Sequence, residues 1–223
     1  MLGVILFLSL SQESAMKLIF RVVTFFALIN LCSCASMQQL PPPPPPPEPP
    51  LVLPFGDNAN WILMRDMNYR IGNTKEVITV PQGFVTDFAS IPPKLAVFGL
   101  SPHGQFSRAA VIHDFLYWAQ PCSKDQADRL LLIAMKESSV GKFDAFAVYE
   151  GVHNFGNSSW ESNKNQRKLG RFRVIPGEYL ERDDPNITWP QYQQILNLKD
   201  VKDLEFQKNP TYCKIGDQSA VPE

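Results

Sequence analysis

Apolar positions along the chain change their period from one segment to the next. Residues 61–71 are dense in apolar and aromatic side chains, Gly72-Asn73 follows as a turn signal, and residues 76–80 are rich in β-branched side chains. That order predicts a β-hairpin. Pro81-Gln82-Gly83 interrupts it, and residues 84–87 read as a short extended piece. Ser90-Ile91-Pro92-Pro93 reads as loop, because each proline biases the residue before it away from helix.

Beyond this point the spacing becomes helical. In residues 107–118 the apolar positions Ala110, Val111, Phe115 and Trp118 fall on a helical repeat. Pro121 ends that segment. Ser123 followed by Gln126 forms a capping box, which opens a second helix running to about Glu137. Its stripe is Leu130, Leu131, Ala134 and Met135. A third helix is expected over residues 143–155. Residues 157–223 are polar and are expected to be mostly irregular, with a short helix near residues 191–196. The fold class is therefore α+β, mainly α, with an amino-terminal hairpin followed by three helices.

The amino-terminal part has a different character. From Met16, a start in its own right, Lys17 and Arg21 flank a short apolar run that ends Leu31-Cys32-Ser33-Cys34. A positive segment, an apolar segment too short to span a bilayer and a small-residue cleavage site make a secretory leader. The ending resembles the lipobox of bacterial lipoproteins. That resemblance implies cleavage before Cys34 and acylation of its thiol; the other reading is an ordinary leader cut near Ala35. Residues 1–33 are thus expected to be a signal peptide and residues 34–50 a tether. Pro41 to Pro47 with Pro49 and Pro50 favour polyproline II, a stiff spacer of roughly 30 Å at about 3.1 Å per residue. Residues 51–156 then form the globular part and residues 157–223 a carboxy-terminal extension. Ala35 in the position after the acylated cysteine favours retention in the outer membrane, facing the periplasm, so the expected location is the cell envelope and the expected partner a membrane.

Composition adds two restrictions. The 223 residues carry a net charge of −1 and are 44% hydrophobic, which is globular and gives no electrostatic reason to expect nucleic acid as a partner. The short basic run Arg167, Lys168, Arg171, Arg173 reads as a solvated face. Of the four cysteines, Cys122 and Cys213 lie in the globular part. An oxidising compartment would allow them to pair, and two free thiols are the alternative.

The chemistry-bearing residues fall in two clusters, Thr86-Asp87-Phe88-Ala89-Ser90 and His113-Asp114-Phe115-Leu116-Tyr117, with Asp128 on the following helix. On a helix His113 and Asp114 project about 100° apart and cannot share one task. A histidine facing the next helix can be oriented by Asp128 and act as a base on water. Asp114 would face the preceding loop, where with Asp87 and loop carbonyls it can hold a hard cation such as Ca²⁺. Tyr117, one turn after His113, can hydrogen-bond Asp128. Asp125 competes for that place but falls in the first turn of its helix, where it favours the helix dipole. A purely structural His-Asp pair is the other reading. The histidines His103, His113 and His153 show no zinc spacing with the cysteines, and phosphate-loop, dinucleotide and nucleophile-elbow patterns are absent.

From Thr86 to Gly156 these pieces resemble the secreted prokaryotic phospholipases A2. The Thr86-Asp87 loop precedes the His113-Asp114-Phe115-Leu116-Tyr117 helix, Asp128 is followed seven residues on by Met135, and Tyr149, Val152, Phe155 and Gly156 fit the third helix. The resemblance implies a phospholipase A2-like helical core. In it His113 is the general base, Asp128 its orienting partner, and Asp87 and Asp114 are calcium ligands together with the loop at Phe88. The ion would polarise the ester carbonyl of a phospholipid. The chain departs from that family at Ala109-Ala110, where a cysteine is usual, in a loop without its cysteine, in a shorter interhelical segment, and in everything before Thr86 and after Gly156. A closer resemblance is to the phage and bacterial domain-of-unknown-function family 1353. It is carried by Val80-Pro81-Gln82-Gly83-Phe84-Val85-Thr86-Asp87-Phe88-Ala89-Ser90-Ile91-Pro92 and by the helix from Ser107 to Tyr117; it implies no activity. Two functions are therefore open: a membrane-anchored, calcium-dependent phospholipase A2-like ester hydrolase, or a non-catalytic envelope or prophage-associated lipoprotein.

Overall fold

The computed structural model describes residues 48–88 and 104–222. The leader, Cys34, residues 41–47 of the proline tract, the loop at Ser90–Pro93 and His103 lie outside the described residues.

Strand β1 (Val52–Pro54), β2 (Trp61–Leu63) and β5 (Val85–Thr86) form one antiparallel sheet in the order β1-β2-β5. Strands β3 (Met67–Arg70) and β4 (Val77–Val80) form a separate hairpin, with Arg70 opposite Val77 and Met67 opposite Val80. The hairpin alternates strictly: Met67, Tyr69, Ile78 and Val80 are buried and their neighbours exposed, as a sheet with one covered face requires. Gly72 turns the chain at φ +54°, and a Cβ there would meet the Pro222 carbonyl at 2.2 Å, so both conformation and space call for glycine.

The apolar run 61–71 is not one hairpin arm. It breaks between β2 and β3, where the Asp66 carboxylate accepts the Gln82 N–H (2.8 Å) and Gln82 Nε2 donates to the Met64 carbonyl (2.8 Å). Continuous hydrophobicity hid this break because both faces of β2 are buried. Leu63 joins one core cluster, while Ile62 joins another with Phe55, Phe172 and Leu196.

Helix α1 (Ser107–Ala119) is the centre of the larger core. Almost every residue from Ser107 to Ala119 is buried, the signature of a helix covered on all sides. Its neighbours are α2 (Lys124–Glu137), α4 (Asn157–Lys168), β4 and β5. Helix α2 begins with the full Ser123/Gln126 capping box and packs also on α3 (Lys142–Phe155). A 3-10 segment, Thr211–Asp217, lies against α2 and is joined to the turn just before that helix by the Cys122–Cys213 disulfide, with the Cα atoms 5.4 Å apart.

Residues 157–222 combine irregular stretches with helices. They supply α4, which has no buried residue, and α5 (Trp189–Leu198), which opens with a Thr188/Gln191 capping box. Trp189, Tyr192 and Leu196 of α5 cover Ile62 and Val85 of the sheet and Phe55 just beyond β1. The helical body is thus larger than three helices, and the described part of the extension folds onto the same unit, Pro46–Glu223. The fold is mixed α+β and helix-rich. Among the described residues no helix is long and apolar enough to cross a membrane.

Candidate functional site

The site is built where α1, α2 and β5 meet. Asp128, fully buried on α2, is the hub. Its Oδ1 lies 3.2 Å from His113 Nε2 and accepts the Tyr117 hydroxyl at 2.7 Å. Its Oδ2 accepts Lys124 Nζ at 2.7 Å. Lys124 also donates to the Val152 and His153 carbonyls, each at 3.0 Å, where the carboxy-terminal end of α3 attracts a cation. The i, i+4 spacing of Lys124 and Asp128 is a legible helix pair, but the sequence reading did not use it.

Burial sets the protonation states. His113 is 3% exposed, and desolvation holds its pKa below the ordinary value of 6.5 against the opposing pull of Asp128. The ring is therefore neutral at pH 7 and able to accept a proton. Burial by itself would raise the Asp128 carboxyl, but the hydrogen bonds from His113, Lys124 and Tyr117 outweigh it and leave the pKa lowered. Burial and the Asp128 charge push the Tyr117 hydroxyl upward, so it stays a donor.

Asp114 faces the other way. Its Oδ2 accepts the Thr86 hydroxyl at 2.5 Å, and the same Thr86 oxygen accepts the Phe88 N–H at 3.0 Å. Phe88 has a left-handed backbone, φ +55°, an arrangement that costs a β-carbon-bearing residue about 1–2 kcal/mol. Burial of its ring edge-on to Trp61 (5.1 Å between centroids) offsets that cost. Asp87 and Asp114 line the same cavity, about 490 Å³, together with His113 and Tyr117. Phe88 itself packs inward rather than lining the cavity.

The cavity's remaining walls come from residues to which the sequence assigned no site role. Val152, Phe155 and Gly156 at the end of α3 form one. Side chains of α4 and Arg173 form another. Arg173 is not part of a solvated basic face, because its guanidinium lies 5.4 Å from the Trp118 ring centroid. Arg167 is similarly engaged, donating to the Trp118 and Ala119 carbonyls at 3.1 and 2.7 Å. Gly156 fits closely over Tyr117, since a Cβ there would lie 2.4 Å from the Tyr117 hydroxyl.

Asp125, Asp128 and His153 also approach one another within 4.8 Å. Lys124 already places a positive charge on Asp128 there, which opposes a second cation at that point.

Residues 61–152 match the family model described as a protein of unknown function (DUF1353). Over that stretch, which holds His113, Asp128, Asp87 and Asp114, the chain is similar to this family. No curated protein and no solved structure matches the chain.

Proposed function

We propose that the protein is an envelope lipoprotein, anchored through Cys34, whose globular body is a phospholipase A2-like ester hydrolase dependent on calcium. One observation carries the hydrolase reading: Asp128 engages His113 Nε2, which leaves Nδ1 as the basic nitrogen of a neutral ring that lines the cavity shared by Asp87 and Asp114. A water between Nδ1 and an ester carbonyl would lose its proton to Nδ1 as its oxygen bonds to the carbonyl carbon. The imidazolium so formed is stabilised by Asp128 and returns the proton to the leaving alkoxide as the carbon–oxygen bond breaks, giving acid and alcohol. Two hard carboxylate donors on one cavity wall fit the oxygen-rich coordination of Ca²⁺. The ion would supply charge to the developing oxyanion.

A second reading has its own support. His113, Tyr117, Lys124 and Asp128 join α1 to α2 and reach the end of α3, as a network serving stability alone would. Calorimetric titration of the full chain in neutral detergent with Ca²⁺, followed by release of fatty acid from dispersed phospholipid, separates the two. The hydrolase reading expects saturable Ca²⁺ binding lost in Asp114→Ala and turnover abolished in His113→Gln. Turnover that survives in His113→Gln would sink it, and absence of both binding and turnover leaves the structural network. Incorporation of labelled palmitate, lost in Cys34→Ala, tests the anchor.

A further inference from the structure

The family-matched segment ends at residue 152, but the cavity does not. Ser158, Ser159, Ser162, Asn163 and Gln166 of α4 line it, as does Arg173. These five α4 side chains are hydroxyls and amides, able to donate and accept. The acid of that helix, Glu161, is not in the lining and lies 3.5 Å from Lys164. Among the described residues no carboxylate pairs with the Arg173 guanidinium, so its stacking on Trp118 fixes it without neutralising it. The position of α4 is also fixed. Trp160 packs edge-on to Tyr117 at 5.1 Å, Gln120 Nε2 donates to the Trp160 carbonyl at 2.8 Å, and Asn163 donates to the Tyr117 carbonyl at 3.3 Å.

A buried acyl chain gains little from such a lining, because its contacts would be with groups that prefer water. A guanidinium beside hydroxyls and amides matches an oxyanion linked to a polyol. We propose that Arg173 and the polar face of α4 receive the phosphodiester and hydroxyls of an anionic, polyol-bearing headgroup, and so select the substrate. This inference rests on the hydrolase reading for its catalytic consequence, but not for its binding chemistry.

The test uses the full chain in neutral detergent with Ca²⁺ held constant. Mixed micelles contain either phosphatidylglycerol or phosphatidylcholine, and soluble glycerol 3-phosphate is the probe for the headgroup alone. The expected result is hydrolysis about tenfold faster on phosphatidylglycerol, the ratio a single charge-assisted contact supports. Arg173→Gln should bring the ratio close to one, and Arg173→Lys should restore part of it. Ser159→Asp places a negative charge on an exposed position of the same wall and should also abolish the preference, which guards against misfolding of the Arg173 variants. A ratio near one in the native protein, or a ratio unchanged in both Arg173→Gln and Ser159→Asp, overturns the proposal. If neither lipid is hydrolysed, the hydrolase reading fails and glycerol 3-phosphate decides. Saturable binding lost in Arg173→Gln supports the anion-selecting wall, and no binding overturns it.

Discussion

Lys124 holds the one carboxylate oxygen of Asp128 that His113 and Tyr117 leave open, at 2.7 Å. The pair is buried on both sides, with side chains 10% and 0% exposed. Removing one partner of a buried pair strands the other's charge and costs about 3–5 kcal/mol. Lys124→Met should therefore lower the melting temperature far more than an exposed lysine change. Lys124→Met combined with Asp128→Asn should recover much of the loss, since no unpaired charge remains. A double mutant no more stable than Lys124→Met would show that the ammonium matters through the α3 carbonyls instead.

Gly156→Ala is expected to destabilise by about 1–3 kcal/mol, the range for forcing atoms into a filled space. The new Cβ would approach the Tyr117 hydroxyl and the Val152 carbonyl, both at 2.4 Å. Gly177→Ala is the control, because nothing lies within 4 Å of its Cβ. Denaturant midpoints of the two variants should differ clearly; equal midpoints would mean that Tyr117 moves aside at little cost.

Stability should rise with pH through the histidine range. The folded His113 ring has a pKa below its ordinary 6.5, chiefly because burial disfavours the imidazolium. Below pH 6.5 the unfolded chain binds a proton that the folded ring does not, so this contribution is complete above 6.5 and is lost as pH falls toward the lowered folded value. Asp128, lowered from 3.8, acts with the same sign at more acidic pH. Unfolding free energy measured between about pH 7 and pH 5 should fall more steeply in the native protein than in His113→Gln. Parallel curves would place the titration elsewhere.

Reduction of Cys122–Cys213 should lower stability by about 2–4 kcal/mol, because the bridge closes a long loop in the unfolded chain; the two residues are 91 apart in sequence. Thermal unfolding with and without reductant measures this. A midpoint insensitive to reductant would mean that the contacts of the 3-10 segment with α2, among them Arg129 to the Gly216 carbonyl at 3.1 Å, hold it unaided.

The parts legible in the sequence are those fixed by local chemistry. The Ser123/Gln126 capping box sets the start of α2, and helical spacing in a continuously apolar run marks α1. The 100° between His113 and Asp114 also has a direct outcome, with one side chain on Asp128 and the other on Thr86. What was not legible depends on distant partners. Helix α4 buries no residue and so carries no apolar stripe; Trp160, Asn163 and Arg167 hold it through contacts with Tyr117, Trp118 and Ala119. Arg173 reads as one more surface cation until the fold sets it against Trp118. The division of residues 61–71 into two strands was masked because β2 is covered on both faces.

The indole of Trp118 donates to Asp203 at 2.5 Å, and Asp203 also accepts the Arg173 and Val174 N–H groups at 3.4 and 3.2 Å. The helix that carries His113 is thus tied to a segment synthesised more than eighty residues later, and the Cys122 thiol waits longer still for Cys213. Domains fold as units while the amino-terminal part emerges first. A nascent chain stopped before Asp203 would hold His113, Asp114 and Asp128 with no partner for the Trp118 indole and no Cys213 for Cys122. Both ties therefore close late, so a polypeptide shortened ahead of that residue should be an early target of proteolysis rather than a weaker version of the whole.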